Sequence, residues 1–352
     1  MSKKTLGIDF GTRSFKIYRK GDGIILNEKN VIAIEKNPFV TPGLPYVENK
    51  RIKAGGDLAF EMLEKAPMNI SVTYPVRNGV IADFDNMQKL FEYFLEKTFK
   101  SKNARKSFSY MAAVPTDITG VEKKGFYDLI ANVAGSKKNI QVVEKPIAAA
   151  AGMNIDVINS RGVMVVDVGA DTTEVSVLSL GGIVISKLLH VGGSSFDDSV
   201  RQGVKKTYGL YIGDRTAEYL KLKLSDAFEG DESTEKVFGR NVFSGLPSQV
   251  EVESSLVREV MREQIYTIAD HVKAFLERTP PEIAAEIKDD GIYLTGGSSK
   301  IRNLDKLISE STGIKVNCPV GSENCVAIGL GKIMEQSRLS KLSYYPKHEK
   351  TK

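Results

Sequence analysis

Two stretches of the chain carry the same pattern of apolar and polar positions. Val163–Val166 is a short apolar run typical of a buried strand, and Thr173–Val177 alternates polar and apolar side chains as a returning strand does. Thr5–Tyr18 repeats the order of apolar run, aspartate, one residue, glycine and second run. A single Asp-x-Gly triplet usually marks an ordinary strand end, whereas a repeat of the whole order is much rarer by accident. We therefore predict a strand, a tight turn and a return strand in both places.

Both turns have the composition of a phosphate site. Asp9 and Asp167 end the first strands, and Gly11 and Gly169 follow two positions later, where a missing side chain lets backbone amides approach a ligand. Asp171 argues against a phosphate site in the second turn, because a carboxylate repels phosphates unless a cation lies between them. Two such turns opposed across a cleft would hold a magnesium triphosphate, since Mg²⁺ keeps its waters and takes few protein ligands.

Apolar residues recur at helical spacing along most of the remaining chain. The first such helix, 85–100, has Asp85 as its predicted cap and an inward stripe of Met87, Leu90, Phe91, Phe94 and Leu95. Further helices are predicted at 121–134, 147–153, 195–208, 216–224, 255–276, 304–309 and 326–334, and further strands at 112–114, 140–143 and 291–294. The segment 20–75, broken by Gly and Pro, is predicted to be a small insertion, and 230–245 a loop or hairpin.

Composition bounds the class of protein. The 352 residues, 41% of them hydrophobic, favour two compact units of ordinary size. No apolar run reaches the roughly 18 to 20 residues needed to cross a bilayer, so we expect a cytoplasmic protein. Cys318 and Cys325 lack metal-site or redox spacing and are interpreted as packing residues. Of the net charge of +5, the tail from Ser337 onward supplies +4, which argues against a dedicated nucleic-acid binder.

Several further features have a structural and a functional interpretation. Gly192-Gly193 and Gly296-Gly297 are glycine turns at helix starts, which are able to hold an anion but are usually empty. Glu218 and Lys221 lie three residues apart on one helix, as a surface ion pair does. The basic loop 102–108, with Phe108, is either a solvated loop or a membrane contact.

Five segments together resemble the nucleotide-site segments of the actin, sugar-kinase and heat-shock-chaperone ATPase superfamily. They are GIDFGT, VVEKPIAAAAG, VVDVGADTTE, LTGG and CVAIGLGKI. YPVRNGVIADFDNMQKLFEYF, LGGIVISKLLHVGG, GDRTAEYLKLKL and FLERTPPEIAAEIKDDGIYLTGG are similar to segments of MreB, the bacterial actin family. The resemblance runs from Leu6 to about Met334, nearly the whole chain.

The resemblance implies an α/β, actin-like two-lobed fold of duplicated ribonuclease-H-like domains, with ATP and Mg²⁺ in the cleft between them. It also implies head-to-tail polymerisation into paired protofilaments, for cell shape or motility. The first large subdomain would comprise 1–32, 75–145 and 318–336, and the second would comprise 146–182 and 246–317. The small subdomains would be 33–74 and 183–245, and 337–352 would be a basic mobile tail. Implied partners are further copies of the chain, MreB paralogues and cytoskeletal ribbon proteins. The basic loop 102–108 and the basic tail from Ser337 add the anionic inner face of the cell membrane as a candidate partner.

The resemblance also assigns the site residue by residue. Asp9 and Asp167 would lie near the magnesium ion, through water. The phosphates would meet Gly11, Thr12, Arg13, Ser14, Lys16, Gly169, Ala170, Asp171, Thr172 and Gly193. The adenosine would meet Glu218, Lys221, Gly296, Gly297, Ser298 and Ser299. Lys145, Thr172 and Asp167 are the catalytic candidates.

Two departures from the family pattern bear on hydrolysis. The residue before the proline of the Val143–Pro146 segment is usually a glutamate that orients the attacking water, and here it is Lys145. The usual three-glycine phosphate turn reads Gly169-Ala170-Asp171. A cation cannot accept the proton of that water, and a pairing of Lys145 with Asp171 would preserve a nucleotide pocket that has lost its hydrolytic geometry.

Three classes of function therefore stay open at this stage. The first is a filament with weak ATPase activity, and the second is a non-hydrolysing filament scaffold that keeps ATP as a structural ligand. The third is a chaperone or sugar kinase of the same superfamily, which HVGGSSFDD from His190 favours. Against the third, no segment after Met334 is long enough for a peptide-binding domain.

Overall fold

The computed structural model describes residues 4–35, 51–99, 104–135, 139–228, 230 and 232–345. The chain divides into two units. Unit 1 comprises Met1–Asn154 and Val326–Lys352, and unit 2 comprises Ile155–Cys325. The prediction of two units of ordinary size is consistent with this division, whereas the finer division into four subdomains stays a prediction.

Unit 1 contains ten strands among its described residues. They are β1 Thr5–Phe10, β2 Ser14–Arg19, β3 Gly23–Lys29, β4 Ile32–Glu35, β5 Arg51–Gly55, β6 Ile70–Thr73, β7 Val76–Arg77, β8 Val80–Ile81, β9 Ser109–Val114 and β10 Ile140–Glu144. Five of them form the main sheet in the order β10-β9-β1-β2-β3. Strand β1 pairs antiparallel with β2 and parallel with β9, and β9 pairs parallel with β10. A small sheet has the order β5-β4-β6.

Unit 2 contains eight strands among its described residues. They are β11 Val163–Val168, β12 Thr173–Ser179, β13 Gly182–Leu189, β14 Leu210–Tyr211, β15 Thr234–Asn241, β16 Pro247–Glu253, β17 Ile292–Thr295 and β18 Val316–Asn317. The main sheet has the order β13-β12-β11-β17-β18, and a small sheet has the order β14-β15-β16. Strands β15 and β16 form a hairpin, one of the two structures predicted for 230–245.

The two main sheets share one topology. In each, the first strand lies at the centre, two antiparallel strands follow on one side, and two parallel strands lie on the other. This repeat confirms the α/β class and the duplication implied by the resemblance. Because parallel strands end at the same edge of a sheet, the turns after β1 and β11 each lie at such an edge, where ligands bind in open α/β sheets.

Helices cover these sheets. They are α1 Asp57–Glu61, α2 Phe84–Thr98, α3 Ala104–Ser107, α4 Gly120–Ala134, α5 Lys145–Gly152, α6 Gly193–Tyr208, α7 Asp214–Leu224, α8 Ser254–Arg278, α9 Pro281–Asp290, α10 Leu304–Thr312 and α11 Cys325–Glu335. Short 3-10 turns occupy Gly297–Lys300, Ser322–Asn324 and Ser337–Leu342. No helix in the described part of the chain is both long enough and apolar enough to span a membrane.

Local sequence explains the starts of two helices in unit 1. Thr119 and Glu122 form a reciprocal capping box at the start of α4. Helix α2 is capped by Asp83, whose carboxylate accepts the backbone N–H of Asn86 at 3.0 Å, so the prediction of Asp85 as the cap was wrong by two residues. All five apolar residues predicted for the inward stripe of α2 are buried in the core of unit 1.

Two predictions about basic segments need correction. Residues 102 and 103 of the basic loop lie outside the described residues, but Phe108 is buried and its ring packs against Phe99 at 4.8 Å between centroids. It is therefore not available as an apolar membrane anchor. The predicted mobile tail is wrong for 337–345, since Leu339 and Leu342 are buried and Tyr344 bonds to β10. Residues 346–352 lie outside the described part.

Candidate functional site: two glycine turns at sheet edges

The turn of unit 1 holds a buried carboxylate beside a buried ammonium group. Asp9 in β1 is the cross-strand partner of Lys16 in β2, so both side chains lie on one face of the sheet. Lys16 Nζ lies 3.7 Å from Asp9 Oδ2 and donates to Ser14 Oγ at 2.8 Å. Asp9 Oδ1 is buried and has no hydrogen-bond partner among the described residues. This oxygen is suited to accept a bond from a water molecule or to face a cation.

Asn30 supports this turn from behind and was missed by the sequence analysis. It is fully buried, its Nδ2 donates to Gly11 O at 2.8 Å, and its backbone N–H donates to Arg13 O at 3.0 Å. The guanidinium of Arg13 lies over the ring of Tyr74 at 4.3 Å. Thr12 is a half-buried turn residue. The only sequence signal for Asn30 is a polar residue between two strands, which ordinary turns also show.

Lys145 lies at the same sheet edge as Asp9. The parallel register pairs Asp9 with Ala113 and pairs Glu144 with Val114, the next residue of β9. Glu144 ends β10, and the half-buried Lys145 is the first residue of α5. The predicted catalytic position therefore stands at the carboxyl end of the unit 1 sheet, where the resemblance places the nucleotide phosphates.

The turn of unit 2 is fastened by two other segments of the same unit. Within the turn, the N–H of Gly169 donates to Thr172 O at 2.8 Å. From the start of α6, the N–H groups of Gly193 and Ser194 donate to Gly169 O at 3.1 Å and to Ala170 O at 2.6 Å. Ser298 Oγ donates to Gly169 O at 2.8 Å. The structure thus brings together three glycine segments that are separate in the sequence.

These close approaches require glycine. A Cβ atom at Gly192 would lie 2.8 Å from Ala170 O, and one at Gly296 would lie 2.4 Å from Asp167 Oδ1. Gly296 also has a φ of +92°, a backbone region that side chains rarely adopt. Gly297 opens the following 3-10 turn, and Ser299 is buried with its hydroxyl donating to Gly296 O at 2.7 Å.

Lys221 is buried and contacts two groups of α6, so it does not form the predicted surface ion pair. Its Nζ lies 2.7 Å from Asp197 Oδ1 and donates to Gly193 O at 2.9 Å. An ammonium group has three donors, so a third remains for a ligand beyond these two contacts. Glu218 lies half-buried one turn earlier on α7. Sequence analysis missed Asp197, although the run Phe196-Asp-Asp198 after the glycine turn was visible in HVGGSSFDD.

The carboxylate of Asp171, which argues against a phosphate site, accepts a hydrogen bond from a serine hydroxyl. Ser194 Oγ donates to Asp171 Oδ1 at 2.7 Å, which fixes this carboxylate beside the start of α6. Lys145 belongs to unit 1 and Asp171 to unit 2, and their pairing stays a prediction. Thr172 is a half-buried member of the same turn.

Asp167 faces a second carboxylate. It is buried, and its cross-strand partner in β12 is Glu174, which is also buried and which the sequence analysis did not select. Two like charges on one face of a sheet are unfavourable unless hydrogen bonds or a cation offset them. No cluster of three or more His, Cys, Asp or Glu side chains suited to a metal occurs in the described part of the chain. Neither Cys318 nor Cys325 forms a disulfide, and burial raises the pKa of the Cys318 thiol.

Comparison with known proteins shows which family and which solved structures this chain resembles. The MreB/Mbl protein family model matches residues 3–342. MreB of Escherichia coli K12, a cell shape-determining protein, is 38% identical over 95% of this chain and 94% of its own. Mbl of Bacillus subtilis 168, also cell shape-determining, is 35% identical over 95% and 97%. MreB5 of Spiroplasma citri bound to AMPPNP superposes with a TM-score of 0.88 at 27% identity, over 97% of this chain and 98% of that chain.

The fold is therefore actin-like, as the resemblance implied. The family model spans nearly the whole described chain, and the relatives match at almost full length, so the likeness is not confined to the nucleotide-type turns. The chain belongs to the MreB/Mbl family.

Proposed function

We propose that this protein is an actin-like cytoskeletal filament protein that binds ATP and Mg²⁺ and hydrolyses ATP slowly. The observation that carries the proposal is the duplicated Asp-x-Gly turn, present at the same edge of two matched sheets. Structures of Spiroplasma citri MreB5 contain AMPPNP or ADP, which supports a nucleotide as the ligand. In this assignment the backbone amides of both turns contact phosphates, and the loop at Gly296–Ser299 and helix α7 contact the nucleoside.

The buried carboxylates fit a magnesium ion bound largely through water. Asp9 Oδ1 is buried without a partner among the described residues, and Asp167 is buried with the carboxylate of Glu174 as its cross-strand neighbour, so each position has a carboxylate able to accept from a metal-bound water. Mg²⁺ usually keeps several waters and takes one or two carboxylates, so a cluster of three acidic ligands is not required. When bound, the ion would neutralise phosphate charge, while Asp9 and Asp167 would orient its water shell.

Slow turnover follows from Lys145. Hydrolysis needs an acceptor for the proton of the attacking water, and an ammonium group has no lone pair to offer. Lys145 would instead stabilise phosphate charge from the carboxyl end of the unit 1 sheet. The second candidate, a non-hydrolysing filament scaffold, is favoured by the same residue together with Asp171, which is held by Ser194.

One experiment on a single preparation separates these functions. Purified full-length protein is sedimented and imaged by negative stain with ATP, ADP or no nucleotide, while phosphate release is recorded. Filaments with slow phosphate release support the first proposal, and filaments without release support the scaffold. Monomers under all salt and nucleotide conditions would contradict both. Paired protofilaments are the expected form.

Membrane affinity is a smaller, electrostatic proposal. With Phe108 buried, only the basic side chains remain to attract anionic lipid, each contributing about 1 kcal/mol near the surface. Arg338 and Lys341 on the C-terminal 3-10 turn are exposed and basic. Equal pelleting with neutral and anionic vesicles would contradict this proposal, and increasing salt is expected to weaken the binding. MreB paralogues and cytoskeletal ribbon proteins are proposed as further partners on the resemblance alone.

A further inference from the structure

The C-terminal segment of the chain reaches the edge where Lys145 stands. After α11, residues 337–342 form a 3-10 turn whose Leu339 and Leu342 are buried. The chain then pairs with β10, which is the outer strand of the unit 1 sheet. The N–H of Val142 donates to Tyr344 O at 2.9 Å, and the N–H of Tyr344 donates to Val142 O at 3.0 Å. We call residues 337–344 the C-terminal latch.

The last residue of the latch is hydrogen-bonded to a carboxylate that lies next to the predicted catalytic position in the sequence. The hydroxyl of Tyr344 donates to Glu144 Oε1 at 2.9 Å. Lys123 Nζ, from α4, lies 3.4 Å from the same oxygen. Burial, with the charge of Glu144, raises the pKa of Tyr344, so this phenol remains a donor at neutral pH. Glu144 is thereby held by two groups, and neither belongs to the nucleotide-type turns.

Glu144 is also the residue that begins α5. It is the N-cap, yet its side chain makes no capping bond to the helix, because the carboxylate is engaged by Tyr344 and Lys123. The first turn of a helix has backbone amides without intrahelical partners, and these attract a nearby carboxylate. Release of Glu144 would therefore move a negative charge and a hydrogen-bond acceptor toward the first turn of α5, which contains Lys145.

We propose that the C-terminal latch regulates the nucleotide site, with Tyr344 as a positioning residue that keeps the Glu144 carboxylate away from the position of the attacking water. In the closed latch, Tyr344 and Lys123 hold the Glu144 carboxylate, no acceptor reaches that water and hydrolysis is slow. When the latch opens, Glu144 supplies the acceptor that Lys145 lacks. This inference rests on the proposed function, because it concerns the rate of the same ATP hydrolysis.

The test uses three full-length variants and ATP as the probe. Tyr344→Phe removes only the hydroxyl that holds Glu144, and Tyr345→Phe is the matched control, since Tyr345 is its exposed neighbour. The double variant Tyr344→Phe with Glu144→Gln asks whether the effect passes through the carboxylate. A well-placed general base is worth typically 10² to 10⁴ in rate, and a released, loosely placed one is expected to give roughly 3- to 10-fold faster phosphate release in Tyr344→Phe. Tyr345→Phe is expected to remain at the wild-type rate, and the double variant is expected to lose the acceleration seen in Tyr344→Phe.

A second measurement follows the latch without nucleotide. Hydrogen–deuterium exchange of a peptide covering 139–144 reports the Val142 amide, which the latch protects. Faster exchange in Tyr344→Phe than in Tyr345→Phe, together with faster phosphate release, supports the proposal. An unchanged or lower release rate in Tyr344→Phe, or equal acceleration in the double variant, overturns it even where the wild-type protein binds ATP. A wild-type protein that binds no ATP overturns the proposed function and the coupling with it, while the exchange data still decide whether the latch holds β10.

Discussion

The two Asp-x-Gly hairpins share a topology and differ in the charge that faces the aspartate. In unit 1 the cross-strand partner of Asp9 is Lys16, and their side chains form a buried ion pair. In unit 2 the cross-strand partner of Asp167 is Glu174, a second buried carboxylate. A duplicated hairpin has thus kept its backbone and the leading aspartate while reversing the sign of the opposite side chain.

This difference assigns the two turns different electrostatic tasks. The unit 1 turn carries its own cation, which is 3.7 Å from the carboxylate and suited to meet phosphate oxygens. In unit 2 the carboxylates of Asp167 and Glu174 share one face of the sheet, and hydrogen bonds or a bound cation can offset their like charges. One copy of the duplicated turn therefore has a cation beside its aspartate, and the other copy has a second carboxylate there.

The largest expected effect comes from adding a side chain at Gly296, where the glycine segments of unit 2 approach each other closely. Gly296→Ala places a Cβ 2.4 Å from Asp167 Oδ1 on a residue with positive φ, and strain plus overpacking should lower the free energy of unfolding by about 4 kcal/mol. ATP binding should be lost with it. Gly182→Ala in β13, where the Cβ would make an ordinary contact of 3.6 Å with Ser179 O, is the control and should be nearly neutral. Thermal unfolding measures the stability of the two variants, and fluorescent-nucleotide binding measures their affinity. Equal stability of the two variants would contradict the claim that position 296 requires glycine.

Exchange of the facing charges tests the comparison directly. Lys16→Met leaves the buried Asp9 carboxylate without its ion-pair partner and should cost about 3 kcal/mol of unfolding free energy. Glu174→Gln removes one of two like charges and should change the unfolding free energy by less than about 1 kcal/mol. Urea unfolding without nucleotide gives both values. A larger cost for Glu174→Gln than for Lys16→Met would show that the unit 2 pair is not a repulsive one.

Restoring an acceptor at Lys145 should raise hydrolysis. Lys145→Glu, combined with Asp171→Gly to avoid two carboxylates near the phosphates, is expected to speed phosphate release on the order of 10²-fold, the lower end of general-base catalysis. The two single variants should give smaller changes. Single-turnover phosphate release measures the effect, with nucleotide affinity recorded beside it. A double variant that binds ATP well and is no faster would remove Lys145 from the catalytic position.

The smallest effect concerns the hydroxyl that holds Asp171. Ser194→Ala removes this hydrogen bond from the Asp171 carboxylate, which is then less firmly held beside α6, and should weaken ATP binding by about 1 kcal/mol, roughly fivefold. Ser199→Ala, the same substitution on the same helix, is the matched control and should leave the affinity unchanged. Nucleotide titration distinguishes them. Tighter binding in Ser194→Ala would mean that Asp171 is not repelled by the nucleotide.

Local patterns were sufficient for most elements of secondary structure. The strand at Thr173–Val177 and the apolar stripe of α2 both appear as predicted. Helix α2 buries one face, so its period is visible in the sequence, whereas β12 buries residues on both faces. The cap of α2 was misplaced because both Asp83 and Asp85 are suitable capping residues, and only the backbone decides which one reaches Asn86. The tail was misjudged because charge is visible in a sequence while the burial of Leu339 is not.

The sequence by itself determined the duplicated turns and the family, and it predicted the loss of the usual glutamate at Lys145. Each of these depends on residues adjacent in the chain, where spacing alone carries the information. Only the tertiary structure decided that Lys221 pairs with Asp197, that Glu174 faces Asp167, and that Tyr344 holds Glu144 from 200 residues away. Such contacts join distant segments through strand register and packing, and a charged residue has the same letter whether it is solvated or buried against its partner.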